Sequence, residues 1–72
     1  MDSEMLCDGI ILLIEETHQE EGDFALGKLT ALRDLIERYI EPHVSGNLHD
    51  RMNDAINNIN QIIADQSASN NI

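Results

Sequence analysis

Basic residues are scarce in this chain of 72 residues. Four Lys and Arg stand against fourteen Asp and Glu, which gives a formal net charge of −10. Binding to nucleic acid or to an anionic membrane surface requires a cationic surface, so we expect no nucleic-acid partner and no membrane insertion. Trp is absent, and Phe24 and Tyr39 are the only aromatic residues, so the chain lacks a platform on which bases could stack.

Long apolar runs and cysteines are equally scarce. The longest apolar run, residues 10–14, has five members and is far too short to cross a bilayer. The single cysteine, Cys7, excludes an internal disulfide. Because the N-terminus has no basic region of the kind that begins a signal peptide, we expect a cytoplasmic protein. A chain this short buries only about 60% of its unfolded surface, which favours dependence on a partner.

Two stretches, at about 24–41 and 48–65, have apolar residues at alternating steps of three and four. Each pattern predicts an amphipathic helix. Pro42 disfavours helical geometry at Glu41 and is expected to end the helix of about 24–41 there. Since the connector is short, the two helices should fold back as an antiparallel hairpin. The predicted core of this hairpin consists of Leu29, Leu32, Ile36, Tyr39, Met52, Ala55, Ile59 and Ile62.

The N-terminal segment has two interpretations. Three of the residues 10–14 are β-branched, which suits a strand. An isolated strand would have nothing to pair with, so we prefer a helix that is capped by Asp2 or Ser3 and runs to about Gln19. The predicted fold is therefore all-α, an antiparallel hairpin with an additional N-terminal helix. We expect one small domain over residues 1–66, followed by a flexible polar tail over residues 67–72.

Negative charge is concentrated near the N-terminus. Residues 1–23 carry eight acids and no Lys or Arg. Several of these acids lie at the C-terminal end of the predicted first helix, where they oppose the helix dipole, and Glu16 and Glu20 repel each other at a spacing of four. The run 15–23 is either a solvated helix end or a site for a basic partner.

Groups that could carry chemistry are few. Cys7, His18, His43 and His49 do not have the spacing of a zinc site. No base is placed beside Cys7 by the sequence, and the many carboxylates lie on the solvent faces of the predicted helices without a cleft to separate their pKa values. The glycines form no phosphate-binding motif. We therefore predict no enzymatic activity, no metal site and no cofactor.

The chain has more apolar residues than a hairpin seam can bury. Some of them would be covered if the N-terminal helix packs on the hairpin, and a self-contained three-helix bundle is the alternative in which few remain exposed. An exposed apolar patch on a small protein marks a site for a protein partner. The predicted docking residues are Ile10, Leu13, Ile14, Leu35, Ile40, Ile56 and Ile63.

The stretch from Lys28 to Asp65 carries a resemblance to a known family. Its sequence is KLTALRDLIERYIEPHVSGNLHDRMNDAINNINQIIAD, which combines a heptad-like helix, a Gly-containing turn and a second helix ending in AINNINQII. This pattern of length, order and spacing resembles the small needle-subunit co-chaperones of bacterial type III secretion systems. The resemblance covers about half of the chain.

The resemblance implies a binding role without catalysis. In such families the helical hairpin docks on a second chaperone that is built of tetratricopeptide-like repeats. That chaperone wraps the C-terminal helix of the needle subunit, which polymerises by itself. The complex keeps the needle subunit monomeric in the bacterial cytoplasm until export. The implied partners are therefore a helical-repeat chaperone and a needle subunit.

Two other functions are compatible with the sequence. The acidic N-terminal region favours an inhibitor or regulator that imitates the charge of nucleic acid, and its binding would depend strongly on salt. The two seams alternatively favour a self-associating hairpin, in which two copies form a four-helix bundle. Binding at high and low salt distinguishes the first from apolar docking, and light scattering tests the second.

Overall fold

The computed structural model describes residues 2–69, with side chains described for residues 2–66. This part of the chain contains three α-helices, α1 (Ser3–His18), α2 (Asp23–Leu35) and α3 (Gly46–Ser69). No strand occurs between residues 2 and 69. The predicted all-α class is confirmed, and the strand interpretation of residues 10–14 is wrong.

The first helix begins and ends close to its predicted bounds. The side chain of Asp2 accepts a hydrogen bond from the backbone N–H of Glu4 at 3.0 Å, which is the contact that an N-cap makes. The chain then turns towards α2 through Gly22, whose φ of +97° lies in a region that side chains with a Cβ rarely adopt. This turn brings α2 back along α1.

The three helices pack side by side as a bundle of 42 × 16 × 16 Å. The α2 helix runs antiparallel to both neighbours: Lys28 bonds to Glu20, just beyond the end of α1, and Arg33 donates to Asn60 of α3 at 2.7 Å. The α1 helix contacts α2 and α3 alike. The fold is thus the self-contained three-helix alternative, with α1 covering a face of the α2–α3 hairpin.

The core is a continuous cluster of aliphatic side chains from all three helices. Leu32 and Ile63 pack against its margin and are partly buried. Burial of this apolar surface drives folding, at roughly 25 cal/mol per Å² removed from water. The buried apolar residues are Cys7, Ile10, Ile14, Ala25, Leu29, Ile36, Ile40, Met52, Ala55, Ile56, Ile59 and Ile62.

A single π turn, Ile36–Ile40, follows α2 and leads into a 3₁₀ turn, Glu41–His43. The N–H of Glu41 donates to the carbonyl of Ile36, five residues back. Pro42 has no N–H to continue an α-helical ladder, and its ring would clash with the carbonyl four residues earlier. The wider turn and the tighter turn together let the chain leave the helix at this proline.

The π turn corrects one core prediction. A continuous α-helix to residue 41 would have kept Tyr39 on the apolar seam. Because the π turn holds an extra residue, Ile40 reaches the core and Tyr39 rotates outward, where it is 65% exposed. The placement of Tyr39 in the core is therefore wrong.

The third helix is longer than predicted. It begins at Gly46, which has a positive φ of +60°, and extends to Ser69 instead of covering 48–65. Residues 67–69 of the predicted tail thus have helical backbone. Their side chains and residues 70–72 lie outside the described part of the chain, so a flexible tail there stays a prediction.

Candidate docking groove

The predicted docking residues do not form one surface. Ile10, Ile14, Ile40 and Ile56 are buried in the bundle, and Ile63 packs against the core. The reason is that α1 fills the third position of the bundle and covers the apolar rows of α2 and α3. Of the seven residues, only two leucines are exposed large apolar side chains, which are Leu13 and Leu35.

Leu13 and Leu35 lie on the two walls of one groove, between α1 and α2. Leu13 is 48% exposed and Leu35 is 40% exposed, and Ala31 and the partly buried Leu32 complete the apolar lining. The groove encloses about 360 Å³. The sequence prediction included both wall residues but missed Ala31, because this residue lies off the apolar seam of Leu29, Leu32 and Ile36.

The lining of the groove has no unsatisfied hydroxyl. Thr17 is buried there, and its Oγ1 donates to the carbonyl of Leu13 at 2.7 Å, one turn back along α1. This local bond satisfies the hydroxyl without any partner from outside the chain. An apolar side chain could therefore enter the groove without leaving a buried polar group without a hydrogen bond.

Other large apolar side chains are exposed on α1 and near both ends of α2. Leu6 lies seven residues before Leu13, on the same face of α1, and Tyr39 is exposed in the π turn that follows α2. Phe24 is exposed at the opposite end of α2.

The charged rim of the groove is mainly acidic. Lys28 Nζ lies 2.9 Å and 3.0 Å from the two carboxylate oxygens of Glu20, and 5.0 Å from the centroid of the Phe24 ring. Glu16 also lines the groove, and it makes no ion pair with any residue that the structure describes. One carboxylate of the rim is therefore neutralised within the chain, and one is not.

The other side of α1 faces α3, and an ion pair bridges the two helices. Arg51 of α3 forms an ion pair with Asp8 of α1, and this hydrogen bond raises the pKa of Arg51 above its ordinary value. Below this bridge Ile14 and Ala55 are buried. A second space of about 300 Å³ remains there, with Ile11, Ile14 and Ala55 in its lining.

Of the other candidate reactive side chains, Cys7 lies in the core and His49 lies in a surface ion pair. Cys7 is fully buried, and burial raises the pKa of its thiol, which opposes formation of the nucleophilic thiolate. His49 lies 3.3 Å from Glu41 as an isolated pair on the surface. Across residues 2–69 no three His, Cys, Asp or Glu side chains come together as a metal site would require.

Two further results bear on partners. None of the helices in the described region is long and apolar enough to cross a membrane. Comparison of the chain with protein-family models, with curated proteins and with solved structures gave no match.

Proposed function

We propose that this protein is a small non-enzymatic binding subunit that receives a helix of a protein partner in the α1–α2 groove. The observation that carries the proposal is the exposure of Leu13 and Leu35 on the two walls of one groove, beside the buried aliphatic core. A groove between two antiparallel helices suits an amphipathic helix, which would complete a four-helix arrangement.

We further propose that the partner is a helical-repeat chaperone, and that the complex keeps a type III secretion needle subunit from polymerising in the bacterial cytoplasm. The pattern of residues 28–65 supports this choice, since it resembles the needle-subunit co-chaperones. The chaperone would supply one helix to the groove. Its own stability would increase because the complex buries apolar surface on both proteins.

Burial of the leucines of the groove would stabilise such a complex. Burial of one large aliphatic side chain contributes about 1.5–3 kcal/mol before the costs of association are subtracted. Leu6, Leu13 and Leu35 are 37%, 48% and 40% exposed, so each would contribute a little under half of this range, roughly 0.6–1.4 kcal/mol. Occupation would also stabilise the bundle by mass action, which matters for a chain with a small core.

Co-expression tests the proposal directly. The tagged chain would be produced with the tetratricopeptide-like chaperone and the needle subunit of one secretion system, and the products separated by size-exclusion chromatography with light scattering. We expect a complex that contains the chaperone. Leu35→Asp should abolish it, because the substitution places an unpaired charge in the groove.

A matched variant controls for the effect of the charge alone. Leu12 is also exposed, but it does not line the groove, so Leu12→Asp should leave the complex intact. Far-UV circular dichroism should show that both variants remain helical. Absence of a complex with the unmodified chain would contradict the secretion role, and a complex lost equally in both variants would contradict the groove. A dimer of the chain alone would favour the self-associating hairpin.

A further inference from the structure

We infer that the occupant of the α1–α2 groove is an amphipathic helix with Lys or Arg along the edge that faces α1. The inference rests on the proposed docking function and specifies the chemistry of the helix that docks. Three observations support it: the shape of the groove, the charge along its α1 edge, and a contact that the chain already makes there.

The shape of the groove selects a helix of limited length. From Leu6 to Thr17, the apolar face of α1 spans about 16 Å at 1.5 Å per residue, which corresponds to about three turns of a docked helix. Leucines on one stripe of such a helix would lie between Leu13 and Leu35. The residues flanking that stripe would then lie over the rim.

The charge of the rim favours basic residues beside the apolar stripe of the docked helix. Glu16 lines the groove without an ion pair among residues 2–66, and residues 1–23 carry eight acids and no Lys or Arg. A Lys or Arg beside the apolar stripe would form a charge-assisted hydrogen bond with this carboxylate. A carboxylate at the same place would be repelled, so the rim also excludes acidic partners. A second copy of this chain fits poorly, because its own net charge is −10.

Lys28 shows that the acidic edge of the groove binds a basic side chain. Its Nζ bonds to both carboxylate oxygens of Glu20, at 2.9 Å and 3.0 Å, at the end of the same groove. The basic group comes from α2, across the groove from α1. Glu16 lies one turn closer to the middle of α1, where the chain provides no equivalent cation. The partner helix would supply that cation.

Three labelled peptides of about 15 residues test the inference with the full-length chain. The first has leucines at helical spacing with Lys at the flanks, the second has the same leucines with Glu at the flanks, and the third has the Lys flanks with Gln in place of every leucine. Fluorescence anisotropy would measure their affinities. We expect the first peptide to bind about tenfold or more tightly than the second, with a preference that shrinks at high salt, and the third not to bind.

Substitutions in the chain locate the effect. Glu16→Gln should reduce the preference for the Lys-flanked peptide over the Glu-flanked peptide, whereas Glu4→Gln, on the same helix but away from the groove, should leave it unchanged. Leu13→Asp should abolish binding of the leucine peptides. Circular dichroism of each variant verifies the fold.

The outcomes separate this inference from the docking proposal. Equal binding of the two leucine peptides, lost in Leu13→Asp, would overturn the charge preference and leave the groove as a docking site. Failure of both leucine peptides to bind would overturn the groove and the inference together. Binding of the Gln peptide as tightly as the first would show that charge alone recognises this chain, which supports the charge-imitation alternative and overturns the inference.

Discussion

The two sides of α1 show how differently one helix can use its neighbours. On the α3 side, the Arg51–Asp8 ion pair bridges the helices above the buried Ile14. On the α2 side, Leu13 and Leu35 remain exposed across an open groove. Both sides leave a space beside α1, of about 300 Å³ towards α3 and about 360 Å³ towards α2, but only the α2 side has exposed leucines on both of its walls.

This difference separates residues that stabilise the fold from residues that are available to a partner. A three-helix bundle fixes each helix against two others, so it buries one broad stripe per helix and leaves the outer edges of that stripe open. Along the α1–α2 seam both edges carry leucine. Stability and binding should therefore respond to different substitutions, even within α2.

The largest expected effect comes from a matched pair of leucines in α2. Leu29 is fully buried, so Leu29→Ala should lower the free energy of unfolding by about 2.7–5 kcal/mol, through lost burial and the cavity that remains. Leu35→Ala should cost less than about 1 kcal/mol, because its side chain is already partly in water. Urea denaturation followed by circular dichroism would measure both. Similar losses in the two variants would show that the groove belongs to the core.

A second pair tests the turn that joins the walls of the groove. Gly22 has φ +97°, so Gly22→Ala should destabilise the bundle by about 1–2 kcal/mol through backbone strain. Gly27 lies inside α2 with open space around its Cβ position, so Gly27→Ala should instead stabilise by about 0.5–1 kcal/mol. Opposite signs in thermal unfolding would support the turn geometry. Stabilisation by both substitutions would contradict it.

The buried thiol of Cys7, on α1, should affect how the free energy of unfolding depends on pH. Burial raises the pKa of Cys7 above the ordinary 9.0, so the folded state keeps its proton at a pH where the unfolded chain has lost it. The contribution of this thiol is therefore complete below about pH 9 and is lost as the pH rises through the folded pKa, with a slope of at most about 1.4 kcal/mol per pH unit. Cys7→Ala should remove this part of the slope. Identical slopes in the two proteins between pH 8 and pH 11 would be the opposing result.

The smallest expected effect is at the rim of the groove. Lys28→Gln should destabilise by about 0.2–1 kcal/mol at low salt and by less at high salt, as expected of an exposed ion pair. Arg38→Gln, which removes the 2.8 Å pair with Asp34 away from the groove, should cost a similar amount. Only Lys28→Gln should increase the affinity for the Lys-flanked peptide, because it frees Glu20. An equal change of peptide affinity in both variants would show that the Lys28–Glu20 pair has no specific effect on binding in the groove.

The sequence was sufficient to locate the helices and half of the twelve buried apolar residues. Steps of three and four placed Leu29, Ile36, Met52 and Ile59 on inward faces, and the structure buries all four. Such periodicity is local, because the spacing of side chains around a helix depends only on residues a few positions apart. Capping by Asp2 was predictable for the same reason.

The docking residues could not be separated from the core by the same means. Ile10, Ile14 and Ile56 have the same spacing as exposed residues would have, and their burial depends on the position that α1 takes beside α2 and α3. The direction of the side chains just before Pro42 could not be predicted either, because one π turn places Ile40 instead of Tyr39 at the core.

The sequence by itself thus determined an acidic, all-α chain with apolar stripes of known phase along most of each helix. Only the tertiary structure decided which edge of each stripe is covered. Burial is a property of the assembled bundle, in which α1 closes against α3 through Arg51 and Asp8, while Leu13 and Leu35 stay exposed along α2. A pattern of residues gives the direction of a side chain on its own helix, but it does not give the distance to the next helix, and that distance decides whether the side chain meets protein or water.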